Sequence, residues 1–221
     1  MADRGIIFSA PMVRALLEGR KKQTRRLCKW ANNPQSPALG YIVPLDNAPG
    51  WFGYEEGDVC FSVGYAPGDR LYVRESWRVG YGHDHYREDL DRCPKPSEYD
   101  PATTPVEYLA DGTRNLGGRS YPSIFLPRWA SRLWLAVTEV RVQRLQDITE
   151  DDAEAEGVEK LVTDGEAFYA GFPEGTHRCG FAGIWQHLHT AEGERWQDNP
   201  WIVALTFDVH HGNIDQRSTE R

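Results

Sequence analysis

The sequence lacks the features that mark a membrane protein, a disulfide scaffold or a nucleotide-triphosphate enzyme. Its apolar runs, such as Leu133–Val137 and Trp201–Leu205, reach only five residues, whereas a helix crossing a bilayer needs roughly 20. No membrane partner is expected. The opening segment, Met-Ala-Asp-Arg-Gly-Ile-Ile-Phe-Ser, has no apolar core of the length a secretory signal carries, so the expected compartment is the cytoplasm. The four cysteines (Cys28, Cys60, Cys93 and Cys179) form no C-x-x-C pair and read as reduced thiols. His177 lies close to Cys179, and His83 and His85 flank Asp84, but the paired ligands of a structural zinc site are missing. No metal and no cofactor is therefore assigned. Neither G-x-x-x-x-G-K-[ST] nor G-x-G-x-x-G occurs, which argues against nucleotide-triphosphate hydrolysis and dinucleotide redox chemistry. Positive charge is also in deficit. Lys plus Arg number 25 against 33 Asp plus Glu, a net charge of −8. Such a chain does not coat duplex nucleic acid indiscriminately, although a local basic cleft stays open to it.

What is present suits a packed domain. Apolar residues make up 40% and charged residues 26% of the 221, enough for a real core. The expected organisation is one domain over 1–210 with insertions at about 31–66 and 78–105, and a polar tail over 211–221. Gly5–Ser9 reads as a strand. Ala10-Pro11 opens a helix with Met12, Ala15, Leu16 and Leu17 on its apolar side, stopped at Gly19. Residues 31–66 show no sustained period and read as a long, partly ordered insertion. Arg70–Glu75 alternates like a half-buried strand, and Val106–Ala110 reads as a strand ending at Asp111-Gly112. Ala136–Leu145 predicts a long strand whose spacing slips at Thr138-Glu139, where a bulge is expected. Thr149 and the acids after it predict a helix start, with Gly157 as its stop. Phe181–His189 has a helical stripe, and Trp201–Val209 reads as a closing strand. The order strand, helix, strands, two helices, strand predicts an α+β fold, with a small mixed or antiparallel barrel as its core.

Three groups of residues invite chemistry. Six cations fall between Arg20 and Lys29, in a chain with no compositional reason to gather them. Within that stretch Thr24 follows Lys21 by three positions, and a hydroxyl beside an amine is a nucleophile–base pair in outline. A lysine titrates near 10.4, and crowding by Arg20, Lys22 and Arg25 pushes that value down. In a continuous strand, positions 21 and 24 face opposite sides, so their convergence requires a loop after Gly19. The second group is the acid cluster Glu150, Asp151, Asp152, Glu154 and Glu156, most of it a solvated helix face, with Glu156 set apart beside Gly157. The third is Glu75 at a strand end, either facing the same cleft or held in a surface ion pair. The eight Trp and ten Tyr allow a base to be stacked, though most belong to the core.

These residues resemble a known family. Gly19-Arg20-Lys21-Lys22-Gln23-Thr24-Arg25-Arg26 and Gly68-Asp69-Arg70-Leu71-Tyr72-Val73-Arg74-Glu75 are similar to the ASCH-domain family of the PUA-like superfamily. Leu126-Pro127-Arg128-Trp129-Ala130-Ser131-Arg132 and Asn199-Pro200-Trp201-Ile202-Val203 resemble its larger, phage-associated branch. The likeness implies a PUA-like barrel flanked by helices. Small bacterial members include amidohydrolases that deacetylate N4-acetylcytidine without a metal, using a Lys, a Thr three residues later and a distant Glu. The family's G-R-K-T-x-T-x-R pattern falls on Gly19, Arg20, Lys21, Thr24 and Arg26, and its T-E-x-x-A-E-x-E stretch falls on Thr149–Glu156. The chain departs from the pattern at Lys22, where the family has Thr or Ser. The resemblance thus implies Thr24 as nucleophile, Lys21 as base and Glu156 as proton shuttle on a nucleoside substrate. Arg26 or Lys22 is placed at the oxyanion, while Glu75 and Trp77 fall on the substrate side, Trp77 stacking on the pyrimidine. The alternative class is a non-catalytic RNA-binding module, since PUA-like folds commonly bind RNA.

Overall fold

A computed structural model of the chain describes residues 3–32, 42–54, 59–79, 102, 104–112, 120–161 and 175–216. They gather into two compact units, the first formed by 1–18, 70–136 and 209–221 and the second by 19–69 and 137–208. The class is α+β, with many short strands and three α-helices among the described residues. Among the described residues no sheet closes into a barrel, so the expected barrel core is not seen. No described helix is long and apolar enough to cross a membrane.

In the first unit, β1 (Asp3–Ile7) runs parallel to β6 (Arg70–Arg74), and the start of β10 (Leu133–Arg144) pairs antiparallel with β6 through Trp134 opposite Tyr72. Helix α1 (Ala10–Leu17) has Pro11 in its first turn, and Gly19 follows its end at φ +73°, a backbone angle that a side chain disfavours. Its buried face is Val13, Ala15 and Leu16. The expected stripe is therefore rotated toward Val13, and Met12 lies at its edge. A small sheet places β7 (Trp77–Val79) between β8 (Val106–Tyr108) and β9 (Ser120–Tyr121). Trp77, Val79, Tyr121, Leu126 and Ala130 form one apolar cluster with it. The strand expected over 106–110 ends early, because Leu109–Asp111 closes into a 3-10 turn before Gly112. Most of the expected 78–105 insertion lies outside the described residues.

In the second unit, β2 (Gln23–Leu27) pairs antiparallel with β11 (Trp201–His211), whose Ile202–Leu205 run is fully buried. The long strand expected over 136–145 is the later part of β10. The described residues within 31–66 hold more order than their pattern suggests. β3 (Ile42–Pro44), β4 (Trp51–Tyr54) and β5 (Cys60–Ser62) make an antiparallel sheet, with Phe61 stacked on Trp30 at 4.3 Å between centroids. Helix α2 (Glu150–Ala155) starts where Thr149 Oγ1 accepts the Asp152 N–H, and it stops before Gly157 at φ +75°. Helix α3 (His177–Leu188) begins four residues before the expected start, capped by Thr176. A Cβ on its Gly180 would lie 2.1 Å from the Glu159 carbonyl oxygen, so only glycine lets α3 approach that segment.

Candidate active site

The candidate site belongs wholly to the second unit. Between α1 and β2 the chain is neither helix nor strand at Lys21 and Lys22, which supplies the loop needed for Lys21 to leave the strand alternation. Backbone bonds on both sides of Lys22 hold this loop. The Lys22 N–H donates to the Ala155 carbonyl at 2.7 Å, and its own carbonyl accepts from Phe207 N–H at 3.0 Å. That placement turns Lys21 inward and leaves the Lys22 side chain exposed. Of the two adjacent lysines, Lys21 is the one that meets the acid.

Lys21 is 1% exposed and Glu156 4%. Lys21 Nζ donates to Glu156 Oε2 at 2.7 Å and to the Glu156 carbonyl at 2.8 Å, across 135 residues. Glu156 closes the C-terminal end of α2, where unpaired carbonyls carry partial negative charge. Arg20 meets the same end, donating from Nη1 to the Gly157 carbonyl at 2.8 Å. The other carboxylate oxygen, Oε1, accepts from Arg25 Nη1 at 2.9 Å. Burial drives the Lys21 amine below its ordinary range. Glu156 opposes that shift, and the Arg26 and Arg25 charges reinforce it.

Thr24 is buried in β2 opposite Leu205. The hydrogen bonds described for Lys21 Nζ both go to Glu156, and none joins it to Thr24. Arg26 lies two residues after Thr24 on the same strand and so shares its side of the sheet. It is half-buried. Burial weakens its hold on its proton, while Glu156 and Tyr65 act in the opposite direction.

Glu75 and Trp77 fall in the first unit, whereas the group above belongs to the second. Glu75 is 1% exposed, and Arg132 takes both of its oxygens, Nε at 2.9 Å and Nη2 at 3.0 Å. Arg132 also binds both oxygens of Asp111 and lies 4.0 Å over the Tyr108 ring. Burial raises the Glu75 carboxyl, with Arg132 opposing. Glu75 thus sits in an ion-pair knot that is buried and not at the surface. Trp77, also 1% exposed, packs against Tyr121 at 4.9 Å inside the apolar cluster. Enclosed in this way, it has no open face for a base.

Three participants were not singled out by sequence. Arg25, 4% exposed, carries Asp152 Oδ2 at 2.9 Å from Nη2 in addition to its bond to Glu156. Asp152 in turn accepts from Arg141 Nη2 at 3.0 Å. Burial acts to raise the Asp152 carboxyl, but Arg141, Gln23 and Arg25 together hold it below its usual range. The available signal was a strand, Gln23-Thr24-Arg25-Arg26-Leu27, carrying two arginines opposite the apolar run of β11. Buried cations of that sort require carboxylate partners.

A cleft of about 370 Å³ opens beside this group, walled by Arg20, Lys22, Asp151, Glu154 and His177 among others. Lys21, Thr24 and Glu156 are not among its walls. Among the described residues no three His, Cys, Asp or Glu side chains converge as a metal site. Comparison with known proteins finds no matching family model, no matching curated protein and no matching solved structure.

Proposed function

We propose that the chain is an amidohydrolase of the ASCH, PUA-like kind that removes the acyl group from N4-acylated cytosine nucleosides. The observation that carries this reading is the buried contact of Lys21 with Glu156 at 2.7 Å. The resemblance assigns the base and the proton shuttle to these two residues, and 135 residues of chain separate them.

In the proposed reaction the Thr24 hydroxyl oxygen bonds to the amide carbonyl carbon while neutral Lys21 takes its proton. The tetrahedral oxyanion is met by Arg26. The carbon–N4 bond then breaks, and the amine leaves with a proton passed through Glu156. Water hydrolyses the Thr24 ester, giving a carboxylic acid and restoring the hydroxyl. Burial favours the neutral amine this route needs, with the Arg26 and Arg25 charges adding to it and Glu156 opposing.

The same geometry weighs against the RNA-binding alternative. Lys21 and Arg25, two of the six cations in the basic stretch, are buried on internal carboxylates and cannot reach phosphates. The test is incubation of the purified chain with N4-acetylcytidine, following cytidine by chromatography, beside Thr24→Ala. Release by the wild type and none by the variant is expected. No release with short or long acyl groups defeats the proposal, and salt-dependent RNA binding lost in Lys22→Ala would put the alternative in its place.

A further inference from the structure

Arg25 occupies a position that the family pattern leaves open, and it is the least accessible cation of the group after Lys21. Its guanidinium spans two carboxylates, 2.9 Å from Glu156 Oε1 and 2.9 Å from Asp152 Oδ2, with its central carbon 5.7 Å over the Phe181 ring centre. Its Nε makes no hydrogen bond among the described residues, and Nη2 meets Asp152 off the hydrogen-bonding direction. Its charge is therefore held in place by carboxylates that also serve Lys21 and Arg141. Asp152 is shared with Arg141, which further weakens its hold on Arg25.

We infer that Arg25 is a positioning residue: it fixes the second oxygen of Glu156 and holds a permanent positive charge beside Lys21, with Asp152 as the counterweight that sets how strongly that charge is felt. The inference rests on the reading of Lys21 as the base of the proposed reaction. The charges described on these groups enter the balance, Arg20 among them through its bond to the Gly157 carbonyl. From β2 come Arg25 and Arg26, from α2 Glu156 and Asp152, and from β10 Arg141 with Glu139 at 3.5 Å from its Nε. The β11 residues opposite Thr24, Arg25 and Arg26 are Leu205, Ala204 and Val203, which carry no charge. Tyr65 and His189 interact with Arg26.

The arrangement makes two substitutions act with opposite sign. Arg25→Gln deletes the positive charge and frees Glu156 for Lys21, so the ammonium is favoured. Asp152→Asn deletes the counterweight, leaves Arg25 to act fully on Lys21 and Glu156, and so disfavours the ammonium. A loss of folding cannot imitate a pair of opposite shifts.

The chain has only five lysines, so the Lys21 side chain can be followed by NMR with labelled lysine, its signal assigned by its absence in Lys21→Met. The Lys21 titration and the pH profile of kcat/KM on N4-acetylcytidine are recorded for the wild type, Arg25→Gln, Arg25→Lys and Asp152→Asn. Arg25→Gln is expected to move both upward by about one pH unit, a tenfold loss at a fixed pH on the acid limb. Asp152→Asn is expected to move both downward, and Arg25→Lys to keep the wild-type position because the charge remains. Shifts of the same sign, or an unmoved Lys21 titration in a folded variant, overturn the inference. If Arg25→Gln does not fold, the downward shift in Asp152→Asn decides alone. Opposite NMR shifts with no turnover by any form uphold the role of Arg25 and defeat the amidohydrolase reading. Turnover without shifts does the reverse.

Discussion

Glu150 and His177 join the two helices of the second unit. The Glu150 carboxylate accepts the N–H of His177 at 2.7 Å and that of Arg178 at 3.1 Å, so the first residue of α2 caps the first turn of α3. A carboxylate there meets unpaired donors and the positive end of the helix dipole. The helix that ends at Glu156 is thus anchored at its other end. Glu150→Ala leaves the Thr176 cap on Cys179 in place. It should still cost about 1–2 kcal/mol, read as a lower urea midpoint at unchanged slope. An unchanged midpoint would mean that water replaces the carboxylate at no cost.

Glu156→Gln tests the shuttle separately from the nucleophile. The amide keeps the shape of the side chain but cannot carry a proton between the acyl nitrogen and bulk water. A fall in kcat of about 10²-fold or more is expected, with KM little changed. Steady-state kinetics on N4-acetylcytidine decide it. A change confined to KM would make Glu156 a binding group only.

Glu75 and Trp77 should behave as structural residues of the first unit. Arg132→Met leaves the Glu75 carboxylate buried without its partner, and breaking a buried pair in this way costs about 3–5 kcal/mol. Trp77→Ala should cost a similar amount, about 3–5 kcal/mol, by emptying the cluster around Tyr121. Glu75→Gln is milder, since Arg132 keeps both oxygens of Asp111. Its KM for N4-acetylcytidine should equal that of the wild type. A raised KM in a stable Glu75→Gln protein would return Glu75 to the substrate side.

Helix α2 was readable because its signals are local: a capping threonine, acids in the first turn and a glycine beyond the last. These signals put Glu156 at a helix end before any contact was known. The sheet at 42–62 was not readable. Its strands are three or four residues long, too short to show alternation, and part of their burial comes from Trp30, which lies outside them. Arg25 and Asp152 were hidden for a related reason. A charge in a strand and a charge in a first helical turn each look solvated alone, and only the fold brings them to 2.9 Å. Trp77 shows the converse. An aromatic near a strand end suits a stacking platform by sequence, but its place between β8 and β9 makes it core.

The Lys21 amine also predicts how stability changes with pH. Burial, reinforced by Arg26 and Arg25 and opposed by Glu156, holds its folded value below that of the unfolded chain. Between the depressed value and about 10.4, the unfolded chain binds the extra proton and the folded chain does not. Stability therefore rises with pH across that window, and the penalty is present in full below it. Lys21→Met has no such group and keeps Arg25 on Glu156. The stability difference between wild type and Lys21→Met should accordingly move in favour of the wild type as pH rises through that window, measured by urea midpoints in a pH series. A flat difference would mean that Lys21 titrates alike in both states. It would then stay charged near neutral pH and could not take the Thr24 proton.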